Sequence, residues 1–215
     1  MSPSEPGAPQ ALTIDLLSDT TFGRGEGTAG EVDVEIEHDA YGLPFLGGKA
    51  LRGLLRDSCL SMQDHFPDLW DAGHRVFGPH ADLDEVAILR FGDAAIEDSA
   101  RRYFISAVER ELHPLTPDMV LRSLTEVRSQ TSEDRATGAP ARTTLRRTRV
   151  AVRGLRLVAP LGWLAAPGRR ELRCLALAVL ATRHAGLARN RGRGFLRMAL
   201  DGNTPETQRL AREDA

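Results

Sequence analysis

The chain has 215 residues and a formal net charge of −2, but residues 1–100 carry 6 cationic and 19 acidic side chains whereas residues 101–215 carry 22 and 11. Such asymmetry between the two halves indicates contact with a nucleic acid, because a binding surface responds to local rather than net charge. No uninterrupted apolar run approaches the roughly 18–20 residues that cross a bilayer, and the first residues lack the basic and apolar parts of a signal peptide, so we expect a cytoplasmic protein with no membrane partner.

Apolar side chains recur at regular spacings between residues 11 and 200, where we expect a single domain. Alternation with polar residues predicts strands, and spacings of three and four residues predict helices. The strands are predicted at 11–17, 32–38, 86–96, 119–127 and 195–200, and the helices at 49–64 and 171–188. This order matches the βαββαβ plan of a ferredoxin-like (RRM-like) α+β fold. The polar ends, residues 1–10 and 201–215, are expected to be flexible.

A basic segment lies before the second predicted helix. Residues 128–143 are polar and show no apolar period, whereas residues 143–163 alternate apolar side chains with arginines. Alternation of this kind predicts paired strands. We therefore expect a long basic hairpin, inserted around residues 128–158, with a mobile tip.

Glycine and arginine alternate in the segment GLARNRGRGF, residues 186–195. Glycines let the backbone adopt positive φ angles and approach a phosphate closely, and arginines provide forked donors that match phosphate oxygens. The residues expected to bind phosphate are Arg189, Arg191, Gly192, Arg193 and Gly194. The alternative is an ordinary helix end followed by solvated arginines.

The only lysine, Lys49, follows two glycines at the start of the first predicted helix, and Arg52 lies nearly one turn further on. The free N–H groups of a helix N-terminus attract anions, so we expect a phosphate to bind there beside the two cations. The segment lacks the GxxxxGK[ST] pattern of a Walker loop, which disfavours NTP hydrolysis.

Acidic residues alternate with apolar ones in the predicted strand that precedes this helix. They are Asp33, Glu35, Glu37 and Asp39, with His38 between the last two. Paired carboxylates can hold a hard cation such as Mg²⁺. The alternative is that they simply form the solvent-exposed face of a strand.

Four segments of the chain carry a family pattern in the same order. Residues 43–57 follow P-Y-I-P-G-S-S-L-K-G-x-x-R at Pro44, Gly48, Leu51, Arg52, Gly53 and Arg56. Asp33 and Asp39 keep a spacing of six, residues 132–157 follow I-D-R-x-T-G-x-A from Asp134 to Ala139, and residues 190–198 follow a C-terminal glycine-rich loop. Together they resemble the RAMP superfamily, and within it the repeated, Cas-seven-like backbone subunit of type III CRISPR effector complexes of the Csm and Cmr kinds. The resemblance covers roughly residues 11–200.

The resemblance implies a ferredoxin-like core with a thumb-like hairpin, in an antiviral subunit that assembles with further copies of itself and other type III subunits along a CRISPR guide RNA. It implies that Asp33 holds Mg²⁺ or Mn²⁺ and cuts complementary target RNA. The residues expected to bind RNA are Arg24, Lys49, Arg52, Arg142, Arg146, Arg147, Arg189, Arg191, Gly192, Arg193 and Gly194.

Two alternatives remain open. In the first, the chain is a non-catalytic RNA-binding scaffold of the same kind of complex, and Asp33 is an ordinary surface acid. In the second, it is a guide-processing endonuclease of the same superfamily that uses His38 or His74 as an acid or base without a metal.

Overall fold

The computed structural model describes residues 7–78, 87–132, 137–139, 141 and 144–212. The strands are β1 Ala11–Leu16, β2 Leu89–Phe91, β3 Ala95–Ile96, β4 Thr125–Gln130, β5 Arg146–Ala151, β6 Arg156–Trp163 and β7 Leu196–Leu200. The helices are α1 Gly48–Ser61, α2 Trp70–Phe77, α3 Asp98–Glu109, α4 Pro117–Leu124, α5 Arg169–Ala181 and α6 Thr204–Arg212, with short 3₁₀ turns at Pro67–Leu69 and Arg189–Arg191. None of the helices described is long and apolar enough to cross a membrane.

The central sheet has the strand order β2-β6-β1-β7, and β3 also pairs with β6. All of these pairs are antiparallel. If β2 and β3 count as one interrupted strand, the chain runs β1, α1, β2/β3, β6, α5, β7, which is the βαββαβ plan. The prediction of an α+β, ferredoxin-like core is therefore confirmed.

The core lies between this sheet and the helices α1 and α5. Side chains of a strand alternate between its two faces, and in β1 the buried residues are Leu12, Ile14 and Leu16. Leu51 and Leu55 of α1, with Leu172, Leu175 and Val179 of α5, are buried on the same side. Burial of each such side chain contributes about 1.5–3 kcal/mol. The apolar alternation of β1 thus fixes which face of the sheet carries the helices.

The opposite face of β1 carries a charged row. The Asp15 carboxylate accepts hydrogen bonds from Arg156 on β6 at 2.7 Å and from Arg197 on β7 at 3.0 Å. Partial burial raises the pKa of Asp15, but the hydrogen bonds with Arg156 and Arg197 outweigh it, and the pKa lies below its ordinary value. The row therefore joins three adjacent strands across their exposed side.

The basic hairpin is built differently from the prediction. Residues 143–163 do not pair with one another: β5 pairs with β4, from Thr125↔Ala151 to Gln130↔Arg146, and β6 pairs with β1. Between β5 and β6 the chain passes from one sheet to the other at Gly154, whose φ is +90°. The alternating pattern shows that strands form, but it carries no information about their partners. Residues 133–136, 140 and 142–143 of the predicted insertion lie outside the described residues.

Two further predicted segments are wrong in kind. Residues 119–127 are not one strand, because α4 occupies Pro117–Leu124 before β4 begins. The helix starts where Pro117 follows Thr116, whose hydroxyl accepts a hydrogen bond from the Met119 N–H at 3.2 Å, and both are helix-start signals. Residues 32–38 form isolated bridges rather than a regular strand.

The predicted flexible end at 201–215 is also wrong where the structure describes it. Residues 204–212 form α6, which contacts α5 and β7. Leu210 and Ala211 are buried, and the Thr207 hydroxyl accepts a hydrogen bond from the Leu200 N–H at 2.9 Å. The segment is mostly polar, so its composition did not indicate that a few of its residues form a buried face of a helix. Residues 1–6 and 213–215 lie outside the described part of the chain.

Candidate nucleic-acid interface

The segment between β1 and α1, residues 17–47, lies along β5, and we call it the β1–α1 loop. Thr20 and Ala151 exchange backbone hydrogen bonds of 3.0 and 2.8 Å. Further along, the Asp33 N–H donates to the Arg147 carbonyl at 2.8 Å and the Arg149 N–H donates to the Val34 carbonyl at 3.0 Å. The loop therefore covers the edge of β5 that β4 leaves open, and holds Asp33 at the start of that strand.

The Asp33 side chain is exposed beside the hairpin that β4 and β5 form. Its Oδ2 accepts a hydrogen bond from the backbone N–H of Arg147 at 2.6 Å. It lies in an open depression whose walls include Glu31 and Leu145. One carboxylate oxygen is thus oriented by the hairpin backbone, while the other makes no hydrogen bond with any described residue. The free oxygen can serve as one ligand to a hard cation.

Two of the other acids of this segment, Glu35 and Asp39, are bound by other groups of the protein. Glu35 is buried and pairs with Arg149. Asp39 accepts hydrogen bonds from the Tyr41 and Leu43 N–H groups and pairs with Arg101. No cluster of three or more side chains able to hold a metal ion occurs among the residues the structure describes. The expected carboxylate cluster is therefore not formed, and any cation at Asp33 needs ligands from elsewhere.

Arg149 is the functional candidate that the sequence analysis missed. Its side chain is 5% exposed, and it pairs with Glu31 through Nη2 at 3.0 Å and with Glu35 through Nε at 2.8 Å. Arg146 and Arg147, its neighbours on the same strand, are exposed. All three belong to one run of arginines in the sequence, so the run gives no signal that one of them points inward.

The glycine-rich segment forms a loop against the β1–α1 loop, and we call residues 186–194 the arginine loop. The Leu187 N–H donates to the Thr21 carbonyl and the Gly194 N–H to the Asp19 carbonyl, both at 3.0 Å. Arg189 and Arg191 are exposed and Arg193 is partly buried. Within the described ranges none of these three arginines forms an ion pair. Their guanidinium groups are therefore available to an outside anion.

Two glycines of the arginine loop differ in what surrounds them. Gly194 has φ +73° and a Cβ there would lie 2.0 Å from the Ala185 carbonyl oxygen, whereas Gly192 has φ +76° and open space around it. We expect Gly194→Ala to lower the free energy of unfolding by roughly 3–5 kcal/mol and Gly192→Ala by roughly 1–2 kcal/mol. Urea unfolding of the two variants measures the difference. Equal losses would contradict this arrangement of the loop.

The start of α1 is partly closed to an anion. The Gly48 N–H donates to the Asp93 carboxylate at 2.7 Å, and a Cβ at Gly48 would lie 2.2 Å from the Phe91 carbonyl oxygen. A phosphate there would meet a carboxylate that already uses a first-turn donor. Lys49 and Arg52 themselves are exposed on α1. Lys49 and Arg52 can contact an anion, but the Gly48 N–H at the helix N-terminus is already bonded to Asp93 and is not available to it.

The remaining predicted residues divide as follows. Arg24 is exposed and belongs to the β1–α1 loop, while Arg142 lies outside the described residues. Of the histidines considered, a ring nitrogen of His38 contacts the Asp39 carbonyl at 3.1 Å and His74 lies on α2 against Trp70. The β1–α1 loop is therefore the element that contacts both basic segments, the start of β5 and the arginine loop.

Ion pairs explain much of the charge asymmetry. Most of those formed within the described ranges join an arginine of the second half to an acid of the first. These are Arg101–Asp39, Arg122–Glu31, Arg128–Asp19, Arg149–Glu31, Arg149–Glu35, Arg156–Asp15, Arg173–Asp68 and Arg197–Asp15. The two halves thus pair with each other within the molecule. None of the predicted RNA-binding cations that the structure describes takes part in these pairs.

Comparison with known proteins supports the fold. No protein-family model and no curated protein sequence matches this chain. Among solved structures, a chain of the type III-B Cmr-beta complex bound to cognate target RNA has a TM-score of 0.66 and 11% identity, covering 89% of this chain and 96% of that one. A chain of the apo state of Cmr-beta has a TM-score of 0.64 and 12% identity, covering 90% and 97%. The likeness to type III effector subunits that the motifs indicated is confirmed in the fold.

Proposed function

We propose that this chain is a backbone subunit of a type III CRISPR effector complex, which binds guide RNA and cuts complementary target RNA at Asp33. One observation carries the proposal: the Asp33 carboxylate is hydrogen-bonded to the backbone at the start of β5, beside the basic hairpin. The family resemblance implies a hairpin that interrupts the guide–target duplex. An acid at the base of this hairpin would then lie near the displaced nucleotide.

A subset of the cations that form no ion pair with a described residue provides the RNA-binding surface. Arg189, Arg191 and Arg193 reach out from a loop whose backbone is fixed on the β1–α1 loop. Arginine binds phosphate oxygens through two parallel N–H donors, and the rigid loop reduces the entropy lost on binding. Arg24, Arg146 and Arg147 extend the same basic surface towards Asp33. The guide is expected on the arginine loop and the target beside the hairpin.

A divalent cation, Mg²⁺ or Mn²⁺, fits Asp33 as a single protein ligand. When bound, it supplies positive charge that stabilises the charge developing on the phosphate during cleavage. The Arg147 N–H binds one oxygen of the Asp33 carboxylate, and the other oxygen accepts no hydrogen bond from a described residue. Since a single carboxylate is a sparse site, RNA oxygens must complete the coordination. Cleavage therefore requires a bound target.

A cleavage assay on the purified complex tests this function. Purified wild-type complex with guide RNA is expected to cut complementary RNA at regular intervals in Mg²⁺ and to stop in EDTA, because every copy of the subunit carries one Asp33. The fragments are measured on a sequencing gel with end-labelled target. Cutting that continues in EDTA, or that lacks a regular interval, contradicts the proposal.

A non-catalytic scaffold is the second candidate, and one observation favours it. Glu35 and Asp39 pair with arginines, and no group of three or more metal-binding side chains occurs among the described residues, so the protein contributes little to a metal site at Asp33. The same arginines serve a scaffold. A complex that binds target tightly and leaves it intact in both Mg²⁺ and Mn²⁺ supports this candidate.

A further inference from the structure

We propose that Arg149 is a positioning residue for the Asp33 carboxylate: it closes on the two acids that flank Asp33 and ties the β1–α1 loop to the hairpin strand. This inference rests on the proposed function. Glu31 and Glu35 stand two residues before and two residues after Asp33. Arg149 binds Glu31 at 3.0 Å and Glu35 at 2.8 Å, so one guanidinium holds both sides of the turn that carries Asp33.

The pair between Arg149 and Glu35 is buried, and both oxygens of the Glu35 carboxylate accept hydrogen bonds. Both side chains are at most 5% exposed. Glu35 Oε1 also accepts the Ile36 N–H at 3.0 Å, and Oε2 accepts the Thr28 hydroxyl at 3.0 Å. The carboxylate is thereby fixed from three directions. A group held this firmly sets the position of the backbone on either side of it.

The backbone of β5 completes the arrangement. The Arg147 N–H donates to the Asp33 carboxylate and the Arg147 carbonyl accepts from the Asp33 N–H, while the Arg149 N–H donates to the Val34 carbonyl. Both the main chain and the side chain of Arg149 therefore bind the β1–α1 loop, and together they hold it in one register along β5. If the guanidinium is removed, the backbone bonds remain, but Glu31 and Glu35 are no longer held by one group.

Positioning can be separated from stability because a buried ion pair contributes little to folding when both partners are replaced together. Apolar residues of similar volume often substitute for such a pair without loss of stability. A displacement of about 1 Å at a reacting group can slow a reaction by about 100-fold. The inference therefore predicts a variant that folds and binds RNA normally and yet cuts slowly.

The experiment uses complexes that carry Arg149→Met together with Glu35→Met in every copy. We expect the double variant to fold with a lowered urea midpoint, because the Ile36 N–H and the Thr28 hydroxyl lose their acceptor on Glu35. The guide and target affinity is expected to equal that of the wild type, and the single-turnover cleavage rate at saturating target to be at least about tenfold lower. Arg149→Lys keeps the buried charge but lacks the fork that reaches two carboxylates, and is expected to show the same rate loss. If the double variant does not fold, the cleavage rate of Arg149→Lys tests the positioning role instead.

Arg75→Met is the matched control. It removes an ion pair with the buried Glu171, between α2 and α5, away from the β1–α1 loop. Its cleavage rate is expected to equal that of the wild type. Wild-type rates for both Arg149 variants overturn the inference. Asp33→Asn separates the two claims: if it still cuts, the proposed function fails, and if it is inactive while the Arg149 variants cut normally, the positioning role alone fails.

Discussion

A complex that carries Asp33→Asn in every copy is expected to bind guide and target RNA with wild-type affinity and to cut the target at least about 100-fold more slowly. The loss follows from removing a charge that acts on the transition state, for which mutagenesis of comparable electrostatic contacts gives factors of about 10²–10³. Asparagine keeps an oxygen that can accept the hydrogen bond from the Arg147 N–H. The substitution therefore keeps the hydrogen bond that holds the β1–α1 loop at this position and removes the negative charge of residue 33.

Single-turnover cleavage and filter binding measure the two halves of this prediction on one preparation. Glu26→Gln is the matched control, because Glu26 lies exposed in the same β1–α1 loop and its replacement makes the same change in charge. It is expected to cut at the wild-type rate. Unchanged cleavage by the Asp33→Asn complex would reject Asp33 as the catalytic residue and leave the scaffold candidate.

Replacing Arg189, Arg191 and Arg193 by alanine is expected to weaken guide RNA binding by at least about 100-fold at low salt, since each charge-assisted hydrogen bond contributes roughly 1.5–3 kcal/mol. The dependence of log K on log salt is expected to flatten by about two units, because each phosphate contact on a single strand contributes a slope of about −0.7. Affinity titrations over a range of salt concentrations give both quantities.

A second triple variant controls for net charge. Arg90, Arg169 and Arg170 are also exposed, and like the arginine loop they form no ion pair with described residues. They lie on β2 and at the start of α5, away from the β1–α1 loop. Their replacement by alanine removes the same charge and is expected to change the slope much less. Equal effects of both triple variants would mean that the arginine loop acts through long-range charge alone.

The core of the fold follows from local patterns in the sequence. Leu12, Ile14 and Leu16 alternate along β1, and Leu51 and Leu55 recur at helical spacing on α1, so a sheet covered by helices on one side was predictable. Where one segment satisfies two patterns, the prediction failed. Val120, Leu121 and Leu124 fit α4, but the apolar residues of 119–127 also suit a strand.

Strand partners and the direction of single side chains depend on contacts far apart in the chain. Nothing in residues 143–163 shows that β5 turns back to β4 while β6 crosses to β1. In the same way Arg149 resembles Arg147 in the sequence, and only the approach of Glu31 and Glu35 distinguishes them. The acidic first half and the arginine-rich second half were evident, but whether they pair internally or with RNA was not.

The position of β1 at the centre of the sheet has a consequence for synthesis. Its two neighbours are β6 and β7, from the last part of the chain, and the β1–α1 loop likewise waits for β5. Contacts so distant in sequence form slowly, and segments that await them stay exposed. A fragment that ends before β6 leaves the central strand without either neighbour. The part of the molecule proposed to perform catalysis is thus translated before the strands that complete it.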